Sequence, residues 1–187
     1  MGFQKKHREF FEQLEQEYFD KELFVPAVGS ESSQYMLVGE APGANEVEQG
    51  EPFVGRAGRR LNEILEKIGV KREDLYITNL VKTRPPENRD PKKKEIEAWK
   101  PLLEKEIEKV DPKVIIPLGN FASKEMTGTN KGITKIHGDF RRRKGRKVMP
   151  VFHPAATLYD RTKTPKLEED LKKAFGKQET GQQKLDF

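Results

Sequence analysis

Four side chains in this sequence are placed to do chemistry: Glu40, Glu46, Asn79 and His153, with Phe53 as a fifth of a different kind. A carboxylate can orient water or steady a developing cation. An Asn amide offers both donors and an acceptor, the pairing that a nucleobase edge requires. A histidine can donate a hydrogen bond to a leaving group as it gathers negative charge, and a phenylalanine can stack on a flat ring. Taken singly, each has a commoner, structural role. A strand-end Asn bonds nearby backbone, a turn His packs, a loop Glu caps a helix and a Phe fills the core. Only convergence of the five on one place would change that balance.

The elements that must position them are short. "YMLVG" at Tyr35–Gly39 is an apolar run that empties into "EAPGANEVEQGEPFVGRAG", an acidic loop stiffened by Pro and Gly with almost no helix character. Ala57 to Ile68 then places Leu61, Ile64, Leu65 and Ile68 on one helical face, with Gly69 as its stop. "LYITNLV" (Leu75 to Val81), "KVIIPL" (Lys113 to Leu118) and "KVMPVF" (Lys147 to Phe152) read as three further strands. Helices are expected over 5–19, 92–110, 119–126 and 165–175, the second introduced by Pro91. Short apolar strands alternating with helices predict a three-layer α/β/α sandwich around a short, mainly four-stranded parallel sheet. In such sheets ligands bind beyond the carboxyl ends of the strands. Glu40-Ala41-Pro42-Gly43, Asn79 and His153-Pro154 all stand at such ends, so three segments are expected to meet in one crevice.

Composition narrows the class. The 187 residues suit a single domain over 1–176, with a polar tail over 177–187. A net charge of +5 and a pI near 9.2 fit a polyanionic partner. No apolar run approaches a membrane span and the N-terminus lacks a signal-peptide pattern, so a soluble, monomeric, cytoplasmic protein with no membrane partner is expected. The chain has no cysteine, which removes disulfides and thiolate-bound metals, and its three histidines have no metal-ligand spacing. Neither dinucleotide nor P-loop phosphate signatures appear, nor a serine-hydrolase elbow.

The acidic loop makes sense if the crevice takes a neutral base while cations elsewhere take its phosphates. Those cations are Lys82, Arg84, Arg89, Lys92 to Lys94, and the run "RRRKGRK" that begins with Arg141, Arg142 and Arg143. They are expected to hold a phosphodiester backbone across the mouth without sequence choice. For the Arg141 to Lys147 run, a solvated hairpin tip is the equal alternative.

Together, "GEAPG…E…G-PFVGRAG", "TNLVKTRPPENRDP…E…AW-P", "IIPLG" and "MPVFHPAATL" resemble a family-4 uracil-DNA glycosylase over about 35–158, in order and with compatible spacing. The resemblance implies removal of uracil from DNA in base excision repair. It implies that Glu40, Ala41, Pro42 and Gly43 form the first active-site loop, and that Glu46 crowds the uracil C5 edge and turns thymine away. Phe53 would stack on the flipped base, Asn79 would read its Watson–Crick edge, and His153 would hydrogen-bond the uracil oxygen as the bond breaks. Pro154, Ala155, Ala156, Thr157 and Leu158 would lie at the DNA. The resemblance does not say which of Glu40 and Glu46 orients the water.

One departure is large. Members of that family commonly carry four cysteines around a four-iron, four-sulfur cluster, and Thr83 and Trp99 stand where two of them are expected. No such cofactor is therefore expected here, and packing around Trp99 with Phe10, Phe11, Tyr18 and Phe19 is expected to replace it. In the tail, Gln182, Leu185 and Phe187 resemble a shortened sliding-clamp-binding motif with one aromatic residue in place of two. Two other readings stay open: a glycosylase with a shifted substrate (hypoxanthine or mismatched thymine), and a DNA-binding homologue without catalysis.

Overall fold

A computed structural model describes residues 24–177. The helix expected over 5–19, its four aromatic residues and the clamp-like tail lie outside the described residues.

Six strands form one sheet in the order β1-β3-β2-β4-β6-β5. They are β1 (Val28–Gly29), β2 (Tyr35–Gly39), β3 (Tyr76–Asn79), β4 (Val114–Pro117), β5 (Arg141–Arg143) and β6 (Arg146–Val148). The inner four, β3-β2-β4-β6, run parallel as expected. Two antiparallel edges add to them, β1 against β3, which was not expected, and β5 against β6, a hairpin that matches the alternative reading of the Arg141 to Lys147 run. Strands of two and three residues leave no alternation to read, and three consecutive arginines carry no apolar signal at all.

Helices cover both faces. They are α1 (Ala44–Gln49), α2 (Arg56–Lys67), α3 (Lys93–Val110), α4 (Gly119–Thr127), α5 (Ala156–Tyr159) and α6 (Lys163–Ala174). Alternate residues of each inner strand point to opposite layers. Leu37, Ile77 and Ile116 pack with Leu61, Ile64 and Leu65 of α2 and Leu167 and Leu171 of α6. Met36, Val38 and Ile115 pack on the other face with Leu103 and Ile107 of α3 and Met126 of α4. Because both faces of β2 are covered, its run is apolar throughout rather than alternating. The neighbours of β2 are β3 on one side and β4 on the other, so the chain reverses direction across the sheet at β2, and a crevice opens at its carboxyl end.

The segment after β2, expected to be plain loop, contains α1. Glu46 explains it, as its side chain accepts the Gly43 N–H at 3.2 Å across the helix start. Gly50, in the left-handed conformation, ends it after six residues.

Candidate active site

Gly39 and Asn79 lie side by side at the carboxyl ends of β2 and β3. The site depends on the absence of a side chain at position 39. A Cβ there would come within 2.2 Å of Asn79 Oδ1 and 2.6 Å of the Phe53 ring. Phe53 itself takes a positive φ of 56°, a conformation costly for an aromatic residue. Gly58 of α2 permits it, since a Cβ there would fall 1.9 Å from the Phe53 carbonyl oxygen. From across the crevice His153 brings its ring to 5.8 Å from that of Phe53, centroid to centroid. Asn79, Phe53 and His153, far apart in sequence, therefore meet, and Asn79 is only 3% exposed.

The protonation of His153 follows from its surroundings. Its Nδ1 accepts a hydrogen bond from the Ala155 N–H at 3.2 Å, which puts the ring proton on Nε2. Burial pulls its pKa down to about 4, against an opposing pull from Glu46. At neutral pH His153 is thus an uncharged donor.

The two glutamates differ. Glu46 is held in place, with Oε1 accepting the Val54 and Gly55 N–H groups at 3.0 and 2.7 Å and Oε2 accepting that of Gly43. It clasps α1 to the start of α2. Glu40 is partly buried on the crevice wall, and burial, then the negative charge of Asp90, raises its pKa to about 7. A carboxyl poised there can take a proton from water at neutral pH.

The crevice has a volume of about 620 Å³. Glu40 to Gly43 and Glu46 form one wall, Pro85, Asn88 and Arg89 another, and His153, Ala155 and Tyr159 the third. Tyr159 was not singled out from sequence, yet it is 84% exposed at the rim, beside the half-exposed Leu158. An apolar residue one step beyond "HPAATL" was the available signal. Arg60 is the other residue missed. Its guanidinium donates to Thr157 Oγ1 at 3.2 Å and Thr164 Oγ1 at 3.1 Å, tying α2 to α5 and α6. Thr157 also donates to the Pro154 carbonyl at 2.8 Å, so the segment after His153 is braced from two sides.

The cations expected at the mouth divide. Arg89 lines the crevice and is held by Glu95 at 2.6 Å, while Arg84 bonds Asn88 Oδ1 at 2.8 Å beside it. Lys82 does not reach the surface. It is fully buried, with Nζ 2.9 Å from Glu106 Oε2, 2.5 Å from Thr78 Oγ1 and 2.6 Å from the Asn79 carbonyl. Burial lowers its pKa and raises that of Glu106, each opposed by the other's charge. Lys82 therefore braces the strand end that carries Asn79 and cannot touch DNA.

Arg141, Arg142 and Arg143 are a second correction. Arg143 pairs with Arg146 at the start of β6, whereas His153 follows that strand's end, so the hairpin tip lies at the opposite end of the sheet from the crevice. Arg143 is spent on Glu104, and Arg146 on Asp111 at 2.7 Å just before β4. After His153, Pro154 and Thr157 are buried, Ala155 and Ala156 are half-buried, and Leu158 of α5 faces outward.

The sequence profile of the uracil DNA glycosylase superfamily matches residues 26–176. The chain belongs to that superfamily. Within it, curated relatives place the chain in the type-4 branch. It is 43% identical over 165 residues to a type-4 uracil-DNA glycosylase of Archaeoglobus fulgidus, covering 84% of this chain and 81% of that one. It is 44% identical over 158 residues to that of Saccharolobus solfataricus, covering 80% and 73%. For the Thermotoga maritima enzyme the identity is 42% over 154 residues, covering 80% of each chain.

The branch's iron–sulfur cluster does not fit this chain. With no cysteine anywhere in the sequence there are no thiolates to hold it. The two positions expected for ligands are occupied by packing. Thr83 forms a bridge to Phe24, and the Phe24 ring stacks on Trp99 at 5.9 Å. Trp99 is fully buried with Val81 and Leu102, and Ala41 of the segment after β2 rests against the same cluster.

Proposed function

We propose that this chain excises uracil from DNA by hydrolysing the N-glycosidic bond of deoxyuridine. The observation that carries the reading is the meeting of a neutral, Nε2-protonated His153 with Asn79 and Phe53 beneath a crevice walled by Glu40. The target nucleotide leaves the stack, at a cost of a few kcal/mol that contacts along the backbone offset. Phe53 stacks on the uracil ring and the Asn79 amide pairs with its edge. As the bond between the sugar C1′ and the base N1 breaks, the electron pair moves onto uracil. His153 Nε2–H then donates to the oxygen that gathers the charge, and such a donor contributes about 3 kcal/mol. Ionised Glu40 takes a proton from the water whose oxygen bonds to C1′, and its charge also steadies the cationic sugar. Glu46, fixed by three main-chain N–H groups, is a rigid wall against which a C5 methyl collides.

Leu158 meets the duplex where the base has left, and Arg84 and Arg89 meet the phosphates. The chain acts as a monomer, and the tail residues Gln182, Leu185 and Phe187 dock on a sliding clamp. Loss of clamp pull-down on deleting residues 182–187 checks the last point, and unchanged pull-down contradicts it.

Substrate identity is tested by chromatographic detection of the free base released from duplexes carrying one uracil, hypoxanthine or G-mismatched thymine. Uracil release alone is expected. Release of hypoxanthine without uracil contradicts the reading, and so does the absence of any released base. In Glu46→Ala protein, thymine release from the mismatch is expected to appear.

A further inference from the structure

A second cleft, of about 670 Å³, lies at the amino ends of the parallel strands. Five cations line it: Lys113, Arg142, Arg146, Lys147 and Lys173. The carboxylate in its wall, Asp111, is already paired with Arg146. Among the described residues no carboxylate pairs with Lys113, Arg142 or Lys147, and all three are exposed.

Two features set this surface apart from an ordinary solvated face. Arg142 and Lys147 are direct cross-strand partners on the β5–β6 hairpin. Like charges placed opposite each other destabilise a strand pair, so folding alone does not favour this arrangement. Beside them Phe140 is 42% exposed, with Lys147 Nζ 5.4 Å and Lys173 Nζ 5.9 Å from its ring centroid. Charge on an edge strand suffices to prevent edge-to-edge association, but that role has no use for an exposed ring bracketed by ammonium groups. A cationic groove with an aromatic platform is the arrangement that holds single-stranded nucleic acid, phosphates on the cations and a base on the ring.

We infer that the cleft formed by Phe140, Arg142, Lys147 and Lys113 is a second nucleic-acid site that takes a single-stranded DNA segment. Strands of about five residues rise ~17 Å, so the cleft and the crevice stand a full sheet height apart. A strand seated in the cleft therefore leaves the crevice open.

Stoichiometry tests this independently of catalysis. The full-length protein is saturated with a uracil-free oligothymidylate of about ten nucleotides, within the usual site size, and bound strands are counted by native mass spectrometry. The parent is expected to hold one strand more than Arg142→Glu/Lys147→Glu protein, whatever the crevice contributes. Phe140→Ala, which leaves the charges in place, is expected to weaken that additional strand at least about fivefold, the loss of one stacked base. Both variants are expected to excise uracil from a short duplex at the parent rate, which also reports that they fold. Equal strand counts in parent and double variant overturn the inference, as does a Phe140→Ala protein that binds the additional strand as the parent does.

Discussion

At the scale of single residues, the surroundings hold the groups of the candidate site in different protonation states. Burial keeps His153 neutral down to about pH 4, and burial with Asp90 holds Glu40 protonated up to about pH 7. A base acts only when ionised, so kcat/KM is expected to rise with pH through about 7 and then level. His153, already neutral there, adds no step in that range. The pH–rate profile of Glu40→Gln protein is expected to lack the rise and to run far lower. A profile that keeps the step near 7 in that variant would assign the titration elsewhere. The candidate site was only partly legible in the sequence. Asn79, Phe53 and His153 could be named because each follows a recognisable strand or belongs to the quoted motifs. The difference between Glu40 and Glu46 could not be named. It rests on which carboxylate the Val54 and Gly55 N–H groups reach, and that depends on how the loop folds back.

Elements hold these residues by a few buried polar contacts. Glu46 joins α1 to the segment before α2, and removing its carboxylate leaves three main-chain N–H groups to find other partners. Glu46→Ala is expected to cost about 1 to 3 kcal/mol in urea unfolding, and a midpoint equal to the parent's would contradict the clasp. Lys82 and Glu106 tie β3 to α3 beneath Asn79. Lys82→Met strands a buried carboxylate, with an expected loss of about 3 to 5 kcal/mol, whereas Lys82→Met/Glu106→Leu recovers most of it because an apolar pair removes the desolvation cost. If the double variant is no more stable than the single, the two side chains do not act as a pair. The sequence placed Lys82 among the DNA-contacting cations, since a lysine in a charged, Pro-rich stretch carries no sign that it turns inward. Its partner, Glu106, lies 24 positions away on α3. The inner strands were readable because both their faces are buried. The arginine-only edge strand was not, and with it went the location of the whole basic run.

For the whole molecule, the missing cluster poses the main question of stability. An iron–sulfur cluster joins distant segments by covalent ligation. Here Phe24, Val81, Trp99 and Leu102 pack around the positions of Thr83 and Trp99, with the segment after β2 leaning on them through Ala41. Trp99→Ala is expected to cost about 3 to 5 kcal/mol and to lower Tm, while Trp99→Phe keeps much of the contact and loses less. A Trp99→Ala protein that melts with the parent would show that this cluster does not replace the staple. Charge is divided at the same scale: one end of the sheet carries the crevice of the candidate site and the other the cation-lined cleft, an arrangement that the net charge of +5 does not disclose.

The proposed excision rests on stabilisation of a departing uracil anion by neutral His153 and Asn79. Its most direct test is single-turnover excision from an end-labelled duplex with one uracil, read as strand breaks after alkali, for the parent, Asn79→Ala and His153→Ala. Rapid cleavage by the parent is expected, with a fall of about 100- to 1,000-fold in each variant and Tm little changed. Excision by either variant at close to the parent rate would contradict it.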